Sequence, residues 1–177
     1  MDSISLLREQ LRAAHDYLEE TMADVTPEQA QWIPEGTATP IGANYVHLVQ
    51  TEDGIVQGAL QQKPMLGSTA WADKLGASEP HPAPGTSPED YFAWTRRVKV
   101  DLPAFREYAK AVYSASDDYL AGLHPEALDE VLDLSAMGMS PVTRAWVLTR
   151  YVIGHADNIC GETSTLKGLQ GAGGYAE

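Results

Sequence analysis

Apolar side chains recur along most of this chain at the spacing of helical faces. From Ile4 onward, Leu7, Leu11, Ala14, Leu18, Met22 and Val25 follow at three- and four-residue steps. That spacing predicts an amphipathic helix of about six turns, with His15 beside its apolar stripe. The segment VTPEQAQWIP then offers Thr26 as N-cap, Pro27 at the first helical position and Gln29 as the returning partner. This is a capping-box start for one short turn, ended before Pro34. A second long helix is expected after Thr39-Pro40, burying Ile41, Tyr45, Leu48, Ile55, Ala59 and Leu60, with Pro64 as its stop.

The chain from Lys63 to Gly85 reads as a long connection with one short helix at Trp71 to Leu75. Its end, SEPHPAPGTSP, is too rich in proline and glycine to be regular. Such a loop serves as a lid, an oligomer contact or plain connection. Ser87-Pro88-Glu89-Asp90 opens a third helix with a second capping box, striped by Tyr91, Trp94, Val98, Leu102, Phe105, Ala109, Val112 and Tyr119. Pro103 falls inside that stripe and should kink or break it. HPEALDEVLDL suggests one more short helix. Ser140-Pro141 starts the fourth long one, which carries Trp146, Val147, Leu148, Val152, Ile153, Ala156, Ile159, Cys160 and Leu166 and ends at Gly168 or Gly171.

No stretch alternates with the period of a strand, and no long repeat appears. The expected fold is all-α: a four-helix bundle with long crossover connections and short extra helices, forming one domain over residues 1–177. At 177 residues, 44% of them hydrophobic, the chain is long enough for a single well-buried core. Charge narrows the partners. The 12 basic against 25 acidic residues leave a formal charge of -13, which disfavours nucleic acid and anionic membrane surfaces. No apolar run approaches the roughly 18 residues of a membrane span, and MDSIS lacks the features of a secretory signal. The lone Cys160, following Trp146 and Ile153 in successive steps of seven, reads as a packing residue and suits a reducing compartment. A cytoplasmic location is the expectation.

Candidate chemistry rests on histidines. His81 and His124 stand beside prolines in connecting segments and are expected at the surface. His155 lies on the stripe Leu148, Tyr151, Val152, His155, Ile159, Glu162, Leu166, where an imidazole and a carboxylate on an apolar face need partners. His47 shares a helical side with Asn44, Thr51, Gly54 and Gly58. Two readings stand for each: a hydrogen-bonded packing histidine, or a ligand of a divalent metal. A catalytic metal site uses about three protein ligands and an open position.

QWIP after the first helix, IGANYVHLVQTED in the second and YVIGHADNICGETSTLKGLQG in the fourth together resemble the DinB/YfiT-like family. The resemblance covers nearly the whole chain. It implies a four-helix bundle, commonly a homodimer. It also implies a divalent metal, nickel or zinc, held by one histidine of the second helix and an H-x-x-x-H pair of the fourth. Related members are thiol-dependent transferases or isomerases using low-molecular-weight thiols. By this resemblance His47 matches the second-helix ligand and His155 the first of the pair. The second of the pair falls on Ile159, which coordinates nothing. Substitutes considered for it are Glu162, Asn158, His15 and water. Three functions follow: a metal-dependent hydrolase or thiol transferase with an incomplete histidine site, a metal-free dimeric bundle that binds a small molecule or serves in stress, or an oligomerisation module without a cavity.

Overall fold

The computed structural model describes residues 1–135, 138 and 140–175. The helices are α1 (Ser3–Met22), α2 (Pro27–Gln31), α3 (Ile41–Asp53), α4 (Pro88–Arg97), α5 (Leu102–Ala121), α6 (Arg144–Val147) and α7 (Gly154–Leu169). α1 packs on α5 and α7, and α3 packs on the same two helices, so α1 and α3 face each other diagonally across the bundle. The all-α bundle expected from the apolar spacing is the fold observed. No helix among the described residues is long and apolar enough to cross a membrane.

Capping follows the sequence in some places and not in others. Thr26 and Gln29 close the full capping box of α2, and Ser87 caps α4 through the Asp90 amide. Thr39 does not cap α3, whose first residue simply follows Pro40. The fourth long helix also starts later than Ser140-Pro141. Val142–Thr143 first pairs antiparallel with Val131–Leu132 as a two-stranded ribbon (β1, Val131–Leu132; β2, Val142–Thr143), and Thr143 then caps α6 through the Trp146 amide at 3.2 Å. HPEALDEVLDL forms a 3-10 turn at Pro125–Asp129. The short helix expected at Trp71 to Leu75 is instead a 3-10 turn at Leu66–Ser68 followed by irregular turns.

Two π-helical segments alter helix phase. α3 runs into one at Gly54–Leu60, and α6 reaches α7 through another at Leu148–Ile153. Each residue of a π turn advances less around the axis than a residue of an α turn, so apolar stripes read at 3.6 residues per turn lose phase. Trp146 and Tyr151, both placed inward by that spacing, lie 41% and 37% exposed. Downstream of the π turn the reading recovers: Ala156, Ile159, Cys160 and Leu166 are buried.

Pro103 breaks the third stripe outright. The chain leaves α4 after Arg97 and restarts as α5 under an Asp101 cap, with Pro103 in its first turn where a missing N–H costs nothing. The extended backbone released between them is used at once. Ala77 bridges Val100, the Ser78 amide donates to the Lys99 carbonyl at 2.8 Å, and the Asp101 amide donates to the Gly76 carbonyl at 2.7 Å. Arg97 adds a bidentate pair to Glu79 at 2.9 and 2.7 Å. The long loop is therefore stitched to the α4–α5 break just upstream of His81.

Gly76 makes that stitch possible. Its φ is +79°, and a Cβ there would stand 2.5 Å from the Phe105 amide nitrogen. Gly76→Ala is expected to cost about 1–3 kcal/mol from backbone strain alone, with the clash added. A denaturant titration against the unsubstituted protein measures the loss, and an unchanged midpoint would mean that the stitch does not hold this loop.

Candidate functional site

α3 is buried on nearly every side, so its polar residues must find partners inside the protein. Glu52 and Asp53 are fully enclosed. Glu52 meets His15 of α1 at 2.9 Å and accepts from Ser116 of α5, while the His15 ring stacks on Tyr113 at 3.8 Å between centroids. Asp53 accepts from Tyr108 at 2.7 Å and from the Leu66 and Gly67 amides at 3.0 and 2.9 Å. Asp53 thus ties the start of the long loop to the bundle. His15, considered above as a substitute metal ligand, is engaged by Glu52 instead.

One turn before Thr51, His47 points to a different neighbourhood. Its ring centroid lies 4.8 Å from that of His155, in an edge-on arrangement, and also 4.8 Å from that of His81. His47 Nδ1 and His81 Nε2 are 2.8 Å apart and share a hydrogen bond. The two helical histidines therefore meet across the bundle, and a third joins them from the loop. His81 is not the surface residue that its flanking prolines suggest. His124 is, being exposed in its connection.

Gln50, one turn of α3 beyond His47, explains where His81 comes to rest. Its buried Oε1 accepts from the His81 backbone amide at 2.9 Å, so the loop is pinned at the residue that carries the imidazole. Trp94 and Tyr91 of α4 complete the surroundings, with ring centroids 5.2 and 5.8 Å from His81. Four buried side-chain polar atoms among the described residues have no hydrogen-bond partner. Three of them belong to residues grouped here: Gln50 Nε2, Trp94 Nε1 and His155 Nδ1. An unsatisfied buried donor or acceptor costs about 1–3 kcal/mol. Gln50 Nε2 and Trp94 Nε1 are N–H donors that would suit an acceptor, whereas His155 Nδ1 can offer a lone pair.

The other candidate ligands stand apart. Asn158 is exposed, and Glu162 is exposed and accepts from Asn44 Nδ2 at 2.8 Å. Both line a surface groove with Thr37, Thr39, Thr165 and Leu169. Ile159 is buried in the core at 4% exposure, as its apolar side chain requires. Cys160 is buried and donates toward Thr21, and burial pushes its thiol pKa up, away from nucleophilic reactivity.

Electrostatics keep the imidazoles neutral. Burial first, and then the neighbouring His155 and His81, push His47 down to about 3. Burial also brings His81 down to about 4, against a partial opposing hydrogen bond with Pro82. His155 is lowered by burial, with the Glu52 charge pulling the other way. Neutral imidazole is the form that ligates zinc, nickel, copper or iron. The residues fit such an ion in donor chemistry, and the unpartnered His155 Nδ1 fits one as well. Yet no three His, Cys, Asp or Glu among the described residues stand as a ready-made cage. His47 and His81 spend their facing nitrogens on each other.

His47 and His81 also wall a cavity of about 720 Å³ whose remaining surface is largely apolar, including Ile55, Ala59, Met65, Leu75 and Leu134. His81 separates it from a second, more open groove of about 670 Å³ beside Tyr91 and Thr95. The chain belongs to the DinB superfamily. The family's sequence model matches residues 10–157, a span that includes His47, His81 and His155 and stops short of Ile159. Among solved structures, a conserved protein from Enterococcus faecalis has the same fold, with a TM-score of 0.78, 24% identity, and coverage of 96% of this chain and 97% of that one. No curated protein matches the chain.

The burial of neutral imidazoles fixes a pH dependence. The unfolded chain, with histidines near the usual value of about 6.5, binds more protons than the folded one between that pH and the folded values. Stability of the metal-free protein should therefore fall as pH drops below about 6.5. Chemical denaturation in the presence of a chelator, from pH 7 to 5, measures the slope. Replacing His47 and His81 together by Gln should flatten it, and an identical slope would mean that these rings are solvated.

Proposed function

We propose that this DinB protein binds a divalent transition metal at His47 and His155 and uses it on a small molecule held in the adjoining apolar cavity. The observation that carries this reading is the meeting of two imidazoles from different helices, 4.8 Å between centroids, with His155 Nδ1 lacking any protein partner. A bound ion would supply Lewis acidity and a lowered pKa for a coordinated water or thiol, the chemistry of a hydrolase or a thiol-dependent transferase. The chain's own part is to place neutral donors, to exclude water with Trp94 and Tyr91, and to present the cavity wall at His47. An apolar lining suits an uncharged substrate or thiol carrier better than a phosphorylated one. The homodimer implied by the family resemblance is carried in the same proposal.

A second reading has an observation of its own. The His47–His81 hydrogen bond satisfies the facing nitrogens of both rings without a metal, which favours a metal-free bundle that only binds its ligand. The oligomerisation module has less in its favour, since a cavity does adjoin His47.

Metal analysis and thermal unfolding separate the first two. The metal-dependent reading expects about one nickel or zinc per chain after reconstitution. It also expects stabilisation by about 2.7 kcal/mol at free metal a hundred times the dissociation constant. His47→Ala with His155→Ala should abolish both. No uptake, together with a melting temperature indifferent to metal, would leave the metal-free reading.

A further inference from the structure

We infer that His81, carried on the long loop between α3 and α4, is the third metal ligand of this protein, taking the place that Ile159 leaves on the fourth helix. The inference rests on the metal-binding reading above and names which side chain completes it. Three observations converge. His81 is as close to His47 as His155 is, both pairs at 4.8 Å between ring centroids. Two imidazoles sharing one cation at Zn–N distances of about 2.1 Å have their centroids roughly 4.5–5.2 Å apart. The loop is also held on purpose-built anchors: Gln50 fixes the His81 amide, and the Ala77–Val100 bridge and the Arg97–Glu79 pair fix the residues before it. Finally, His155 Nδ1 is buried without any protein partner, a nitrogen that in the neutral ring can serve as a metal donor.

Between His47 and His81 ligation changes little, while His155 must bring a ring nitrogen to the same point, since the three do not converge as they stand among the described residues. The facing nitrogens of His47 and His81 are 2.8 Å apart in their hydrogen bond. Around a tetrahedral ion they would part to roughly 3.4 Å, a shift of about half an ångström. The proton in that bond moves to the outer nitrogen of the same ring through solvent, so both imidazoles stay neutral and no net charge is displaced. Gln50 is a positioning residue: it acts through the backbone of His81 and touches no ligand itself.

A consequence separates this arrangement from one in which all ligands lie on helices. Metal would tie the loop to the bundle, so binding would order residues 62–87 as well as join α3 to α7. A thiol or water then reaches the ion from the cavity beneath that loop.

The test titrates zinc and cobalt(II) into the unsubstituted protein, His81→Gln, His81→Ala and the exposed control His124→Ala, each checked for folding by circular dichroism. Removing a mere orienting partner of a ligand weakens binding by about tenfold to a hundredfold. Loss of His81 as a ligand should weaken zinc by at least about a hundredfold and, at saturating cobalt, shift the visible absorption bands as water replaces imidazole. Metal should slow proteolysis within residues 62–87 of the unsubstituted protein and leave His81→Gln unprotected. Ile159→His in the His81→Gln background should recover affinity without recovering loop protection. If the unsubstituted protein takes up no metal, the metal-binding reading itself falls. If it takes up metal and His81→Gln keeps the same cobalt bands, His81 is not a ligand and this inference alone is overturned.

Discussion

One hydrogen bond inside the protein sets the character of the candidate site: the His81 amide donating to the buried carboxamide of Gln50. Without it, His81 belongs to a proline-rich connection with nothing to direct it inward. With it, a loop imidazole is delivered to the face of α3 that already carries His47, opposite His155 of α7. The bond in turn needs the loop to arrive at the right height. That is set by the pairing of Gly76–Ser78 with Lys99–Asp101, which exists because Pro103 forces the third helix to stop and start again. A helix-breaking residue 50 positions beyond the end of α3 (Pro103 against Asp53) thereby helps to build a site on α3.

The centre of the bundle shows the same economy with charge. Glu52 and Asp53 would each be costly to bury alone. Each is surrounded by donors from other elements: His15 and Ser116 for Glu52, Tyr108 and two loop amides for Asp53. These bonds tie α1, α3, α5 and the loop together. The three imidazoles themselves are held by position more than by bonding, and they retain unused nitrogen at His155. Rigid surroundings with an unsatisfied centre are what a binding site requires.

Much of this was legible in the sequence, and the failures have causes. The α1 stripe from Ile4 to Met22 is buried at every position named, because an uninterrupted α-helix keeps phase from end to end. The break at Pro103 follows from proline's missing N–H. Trp146 and Tyr151 were misplaced because π turns leave no mark in apolar spacing. His47 and His155 could be singled out because polar residues on apolar faces stand out. His81 could not, since its position depends on a bridge between segments over twenty residues apart and on a carboxamide from another helix. The one available signal was Gln50 itself, a polar residue within the apolar second helix whose partner had to come from elsewhere.

The central claim is that three imidazoles, two from helices and one from a loop, hold a single cation. A crystal structure of the zinc-loaded protein, with the metal located by its anomalous scattering, addresses it directly. The account predicts one zinc bound by nitrogens of His47, His81 and His155 at about 2.0–2.1 Å, with the His47–His81 hydrogen bond gone. Zinc bound elsewhere, or a hollow in which His47 and His81 still bond to each other, would contradict it.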